Sequence, residues 1–126
     1  MNKDEIILIY VKKEEIEKTI SKLKKYSFDQ LIKRNHYYYS LDEKRTNAGL
    51  IKDTYHNFDN IELILYRKRK DGRFNYDLHY RNHDDTYTLF CIVIDDPPIL
   101  INAYPIDRNF DDYKEYIKRK YPNKII

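Results

Sequence analysis

The chain of 126 residues has only one cysteine and two glycines, and each scarcity excludes a class of protein. One thiol, Cys91, cannot form an internal disulfide framework. Its position inside the most apolar run predicts a small buried side chain rather than a reactive group. The two glycines, Gly49 and Gly72, lie too far apart to build a glycine-rich loop around phosphates, so a nucleotide-binding loop of that kind is excluded.

Long hydrophobic runs are also missing. The longest, residues 6–11, is far too short to cross a bilayer, and the start of the chain lacks the charged, apolar and small-residue sections of a secretory signal. We therefore expect a soluble, cytoplasmic protein. With 41% hydrophobic side chains in 126 residues, we also expect a single domain that needs no disulfide or metal to fold.

Four runs rich in Ile, Val, Tyr and Phe follow one another between residues 61 and 104, at 61–67, 74–81, 87–94 and 99–104. Side chains of these types are typical of β-strands. The short joints between the runs leave room only for tight turns, which favours antiparallel neighbours. The region therefore predicts a four-stranded antiparallel meander, with the unbroken apolar third run central and covered on both faces.

The second run alternates, which separates the two faces of its strand. The side chains predicted to face the core are Tyr76, Leu78 and Tyr80. Those predicted to form a polar face are Asn75, Asp77, His79 and Arg81. A carboxylate, an imidazole and a guanidinium side by side can move a proton and stabilise an anion, so this row is a candidate site. The alternative is a solvated sheet face.

Helices are expected on either side of the meander. Residues 12–26 carry apolar side chains at helical spacing, and a capping box of Ser27 and Gln30 predicts a short helix over 28–35, with His36 at its end. Start signals at Ser40 and Thr46 predict one broken helix or two short ones over 40–56. The last helix is expected over 110–121, after Pro105 ends the fourth strand.

The fold class that follows is α+β. Helices from about 12–56 and a C-terminal helix at about 110–121 are expected to pack on the sheet at about 61–104. Residues 6–11 are either an edge strand or the start of the first helix, and we favour the strand.

A formal net charge of +3 permits a nucleic-acid partner, and the positive charge is concentrated in the first hairpin. The basic residues there, set against the single acid Asp71, are Arg67, Lys68, Arg69, Lys70 and Arg73. The alternative is an ordinary solvated turn. His79 and His83 have no cysteine nearby and make a poor zinc pair, so neither a metal nor a cofactor is expected.

Taken together, several of these features resemble the RelE-like and colicin-type ribonuclease superfamily. They are His36, Arg45, the capped helix after Thr46, the basic hairpin, and the strand end Asn102-Ala103-Tyr104-Pro105. The likeness spans about residues 36–105. It implies an endoribonuclease toxin that cleaves RNA without a metal and is held by a protein antitoxin.

The resemblance and the chemistry together assign roles. Metal-free cleavage needs a base for the 2′-hydroxyl proton, an acid for the leaving oxygen and cations for the phosphorane. His79 or His36 is expected to act as base or acid, and Tyr104 as acid or as a stacking platform for a base. Arg45 and Arg81 are expected to stabilise charge, while the hairpin binds flanking phosphates. Two alternatives stay open, a noncatalytic nucleic-acid-binding module and a protein-interaction domain with exposed tyrosines.

Overall fold

The computed structural model describes residues 4–126 and has the α+β fold expected from the sequence. Its strands are β1 (Glu5–Tyr10), β2 (Ile32–Lys33), β3 (Ile61–Lys68), β4 (Phe74–Arg81), β5 (Tyr87–Val93) and β6 (Ile99–Ile106). Its helices are α1 (Lys13–Leu23), α2 (Asn35–Glu43), α3 (Ala48–Tyr55) and α4 (Phe110–Lys120). Single 3₁₀ turns span Phe28–Gln30, Phe58–Asn60 and Pro122–Lys124.

The sheet has six strands in the order β1-β3-β4-β5-β6-β2, so the predicted count of four was wrong. The four expected strands do form the antiparallel meander β3 to β6. The run at 6–11 is an edge strand antiparallel to β3, as favoured. The missed strand, β2, is only two residues long and runs parallel to β6. Two residues are too few to show the alternation of a strand, and the carbonyls that they pair with, those of Pro98 and Leu100, come from far along the chain.

The face of the sheet under α1, α2 and α3 holds the larger core. The unbroken apolar run of β5 supplies Phe90 and Ile92 to it, and both are fully buried. From β4 come Leu78 and Tyr80, as the alternation predicted. Packing on this face follows from the period of two, because every second residue of the inner strands is apolar.

The opposite face is half covered by α4, so the polar row of β4 is neither the open catalytic face that was predicted nor the solvated face that was its alternative. A second core there contains Leu63, Leu65, Tyr87, Phe110 and Ile117. The helix follows from its stripe of apolar residues and from Asn109, whose side chain accepts a hydrogen bond from the backbone N–H of Asp112 at 2.9 Å. Beyond α4, no helix among the described residues covers the other half of this face, which forms a cavity.

Three local predictions were also wrong. The capping box at Ser27 forms, but the helix after it is one 3₁₀ turn because β2 then pairs with β6. His36 consequently lies in the first turn of α2 rather than at the end of a helix. The fourth strand runs through Pro105 to Ile106, which is tolerated because β2 pairs only with the start of β6 and leaves this part at an edge.

Over the described residues, no helix is both long enough and apolar enough to span a membrane.

Candidate functional site

The uncovered half of the second sheet face is the floor of a cavity of about 770 Å³. The strand order places β4, β5 and β6 under it, the hairpin joining β3 to β4 on one side, and β2 with the start of α2 on the other. Three strand spacings separate β4 from β2, so the floor is about 14 Å wide. Most of the charged lining residues are cations: Arg34, Arg67, Arg69, Lys70 and Arg73.

The hairpin wall depends on a tight turn at its tip. Gly72 has a φ of 86°, a conformation that a side chain would strain, and its N–H donates to the carbonyl of Arg69 at 2.9 Å. The N–H of Arg69 in turn donates to the carbonyl of Arg73 at 2.7 Å. This turn holds the basic residues of the wall close together at one side of the cavity.

Two arginines of the wall are already paired with carboxylates. Arg67 lies 2.9 Å from Asp4 and 2.9 Å from Asp77, and Arg69 lies 2.6 Å from Asp71. The hydrogen bond from Arg69 holds the pKa of the Asp71 carboxyl below its ordinary value. Arg73 is different, because its side chain is 72% exposed and its Nε is 3.9 Å from Asp71. Its guanidinium is therefore the one in this wall most open to a ligand.

The opposite wall carries Arg34 and His36. Arg34 is the residue before α2, and its backbone N–H donates to the carbonyl of Leu100 at 3.1 Å, which ties the start of the helix to β6. His36 follows in the first turn of α2, and both side chains are exposed where they line the cavity. An imidazole and a guanidinium thus face the basic hairpin across the floor.

Tyr104 lies on the floor, on β6. Burial raises the pKa of its hydroxyl above the ordinary value of 10.0, so the group stays protonated and can donate a hydrogen bond at neutral pH. The ammonium group of Lys44, at the end of α2, lies 4.3 Å from the centre of the ring. The end of α2 therefore contacts β6 at Tyr104.

The floor also contains a buried polar cluster around Asp77, of which Arg67, Asn75 and Cys91 line the cavity. The amide nitrogen of Asn75 donates to Asp77 Oδ1 at 2.7 Å, and the Asp77 carboxylate is neutralised by Arg67. Cys91 pairs with Asp77 across β4 and β5, and burial raises the pKa of its thiol well above the ordinary value. This agrees with the prediction that the cysteine is a small buried side chain.

His79, a predicted catalytic residue, is 2% exposed and lies in the core under α4. Its Nδ1 is 3.2 Å from the Leu63 carbonyl and 3.0 Å from the Asp77 carbonyl. Burial lowers the pKa of the imidazole, which keeps the ring neutral. A side chain enclosed in this way has no path to an RNA substrate, so His79 is removed from the candidate site.

Arg81 is held in an ion-pair network rather than in the cavity. Its guanidinium lies 2.6 Å from Glu62, 3.0 Å from Asp85 and 2.7 Å from Asp111. The hydrogen bonds that the guanidinium donates to Glu62, first, and to Asp111 raise its pKa. The network joins β3, β4 and α4, which indicates a structural role for Arg81.

Arg45 and Lys68 also lie outside the cavity. Arg45 follows the end of α2, is exposed and has a φ of 52°. Lys68 is one residue beyond Arg67 on β3, and since neighbouring strand residues point to opposite faces it turns away from the floor. The predicted site residues that do line the cavity are His36, Arg67, Arg69, Lys70, Arg73 and Tyr104.

Among the polar lining residues for which the sequence predicted no role are Arg34, Asn75 and Asn102. Asn75 was placed on the polar face of β4 but given no role. Asn102 was quoted only as part of the strand end. Arg34 had no signal, because it lay inside a segment that was predicted to be helical.

Comparison of the chain with models of protein families, with curated proteins and with solved structures finds no match. Within residues 4–126, no group of three or more His, Cys, Asp or Glu side chains is arranged to hold a metal ion.

Proposed function

We propose that the protein is a metal-independent endoribonuclease that binds single-stranded RNA in the cavity between the basic hairpin and the start of α2. The observation that carries the proposal is that His36, Tyr104 and the hairpin cations, which are distant in sequence, line one cavity. The resemblance to RelE-like and colicin-type ribonucleases supports the same activity. The antitoxin partner that the resemblance implies stays a prediction.

Cations on two sides of the floor suit a phosphodiester chain. Arg73 and Lys70 on the hairpin and Arg34 on the opposite wall would each contact a phosphate, and binding would weaken as salt rises. Arg67 and Arg69 are partly neutralised by Asp4 and Asp71, so they contribute less. RNA would then cross the sheet from the hairpin towards His36.

Cleavage would proceed by transfer of the phosphoryl group to the neighbouring 2′-oxygen. His36 takes the proton of the 2′-hydroxyl, the 2′-oxygen attacks phosphorus, and the bond to the 5′-oxygen breaks. Tyr104 gives its proton to the leaving 5′-oxygen, and Arg34 stabilises the negative charge on the phosphorane. The products are a 2′,3′-cyclic phosphate and a 5′-hydroxyl, and no metal is required.

The test is single-turnover cleavage of a labelled single-stranded RNA by the full chain in excess EDTA. We expect His36→Ala to lower the rate at least about 100-fold, the usual scale for loss of a general base. His83→Ala is the matched control, because His83 is an exposed histidine in the turn between β4 and β5, away from the cavity. It should cleave like the parent protein.

Other outcomes decide between the alternatives. Binding of RNA without cleavage would contradict the proposal and favour a noncatalytic nucleic-acid-binding module. Neither binding nor cleavage would favour a protein-interaction domain.

A further inference from the structure

The floor of the cavity differs in chemistry from its walls. Its apolar side chains, Val93, Ile99 and Ile101, lie on β5 and β6 between the two cationic walls. Phosphates need only the cations and would leave an apolar floor unused. A nucleobase has two apolar faces and a polar edge, and a cavity of about 770 Å³ is in the usual size range of small-ligand sites. The two-part lining therefore matches a nucleotide rather than a phosphate alone.

A β-bulge brings a polar side chain into this apolar region. Cys91 pairs with Asn102, but the next residue of β5, Ile92, pairs with Leu100, so Ile101 has no partner on β5. Regular alternation would send Ile101 and Asn102 to opposite faces, yet both line the cavity. Bulges commonly redirect a side chain in this way beside functional sites.

The amide of Asn102 has its orientation fixed by the backbone. Its Oδ1 accepts a hydrogen bond from the N–H of Ala103 at 2.9 Å, so Nδ2 with its two hydrogens is left to donate. Asn75, also in the lining, has its nitrogen committed to Asp77. Its Oδ1 is buried and has no donor within residues 4–126. A buried polar atom without a partner needs an explanation, and a binding site is one.

We propose that the floor binds one unpaired nucleobase of single-stranded RNA, with Asn102 Nδ2 donating to an acceptor on the edge of the base. The site therefore selects its substrate by the base as well as by the phosphate chain. This inference rests on the proposed function, because it takes RNA as the ligand. It assigns Asn102 as a specificity-determining residue, separate from the residues that would move protons.

The experiment measures binding of four RNA nonamers that differ only at the central base, A, C, G or U among uridines. A 2′-O-methyl group on every sugar blocks cleavage at all linkages, and EDTA and salt are held constant. We expect the wild-type chain to prefer one base by about tenfold or more, the scale of specific hydrogen bonds to a base edge. A complementary duplex should bind more weakly than the preferred single strand, because its bases are paired and stacked.

Two variants at position 102 test the residue. Asn102→Ala should reduce the preference to within about threefold while leaving the weakest oligonucleotide almost unaffected. Asn102→Asp keeps the size of the side chain and the acceptor for Ala103, so we expect it to fold like the parent protein. Because it replaces the donor Nδ2 by an acceptor, it should change which base is preferred. Arg73→Ala is the control, because it should weaken all four oligonucleotides equally and keep the order.

The inference is overturned by equal binding of all four bases, by equal binding of the duplex, or by a preference that survives in both Asn102 variants. Equal binding of all four bases together with cleavage would leave the proposed function intact. Absence of binding to any oligonucleotide would overturn both.

Discussion

The imidazole of His79 stacks on the ring of Tyr113, with ring centroids 5.5 Å apart and planes inclined by 29°. This contact joins β4 to α4 and closes one half of the second sheet face. Because the carbonyls of Leu63 and Asp77 can only accept hydrogen bonds, Nδ1 must carry the proton and donate to them. The histidine is thus a neutral core residue.

The first prediction concerns pH and stability. Burial lowers the pKa of His79 in the folded protein, so the unfolded chain takes up the proton at higher pH. The contribution of neutral His79 to the free energy of unfolding is therefore complete above the ordinary histidine pKa of about 6.5, and it is lost as pH falls below that value. Measured by urea unfolding from pH 7.5 to 5, the pH dependence should be weaker in His79→Gln. His83→Gln should keep the slope of the parent, and an unchanged slope in His79→Gln would contradict the burial argument.

The second prediction assigns Arg81 to stability. Arg81→Leu should lower the free energy of unfolding by about 2 kcal/mol, because Glu62 and Asp111 lose hydrogen bonds from a charged donor. Arg119→Leu is the matched control on α4, where the guanidinium donates to the carbonyl of Glu115 and to no other group of residues 4–126, and should change stability by less than about 0.5 kcal/mol. At a temperature where both variants are folded, their RNA cleavage should equal that of the parent. Loss of cleavage by stable, folded Arg81→Leu would contradict this prediction and support the original assignment of Arg81 to catalysis.

The direction of the side chains on β4 could be predicted from the sequence, whereas the surroundings of His79 could not. Alternation in β4 correctly separated the two faces, because the period of two is a local property. Whether the polar row is solvated is not local. Asp77 is paired with Arg67 of β3, Nδ1 of His79 donates to two backbone carbonyls, and Arg81 is paired with Glu62 of β3 and with α4. These partners come together only when the sheet forms.

The cavity likewise combines a local feature with a non-local one. The basic hairpin was predictable, since five cations surround a turn signal. The approach of His36 to it was not, because it depends on β2, where two residues pair with β6 through the carbonyls of Pro98 and Leu100. A segment this short has no periodicity, and the capping box before it favoured a helix instead.

The third prediction separates two cations of the same hairpin. Arg73 lines the cavity, whereas Lys68 does not. Arg73→Gln should weaken binding of single-stranded RNA and lower the slope of log affinity against log salt by about 0.7, the value for one lost phosphate contact. Lys68→Gln removes the same charge from the same hairpin and should leave the slope nearly unchanged. Equal effects of the two variants would mean that the hairpin acts only through its overall charge.

The fourth prediction concerns Tyr104 as the proton donor. Tyr104→Phe removes the hydroxyl but keeps the ring under Lys44, so RNA affinity should stay within a few-fold. Single-turnover cleavage should fall about 100-fold, the scale for loss of a general acid. Because burial raises the pKa of Tyr104 above 10.0, the hydroxyl remains protonated at neutral and mildly alkaline pH.

The pH dependence of the ratio of wild-type to Tyr104→Phe cleavage rates tests whether Tyr104 is the proton donor. An acid acts only while it is protonated, so the ratio should stay constant from pH 6 to 9 and decline only as the raised pKa is approached. Tyr87→Phe is the control, since Tyr87 is a buried tyrosine of the second core and does not line the cavity. Its rate should match the parent once folding is matched. A ratio near one, or one that already declines between pH 6 and 9, would show that another group protonates the leaving oxygen.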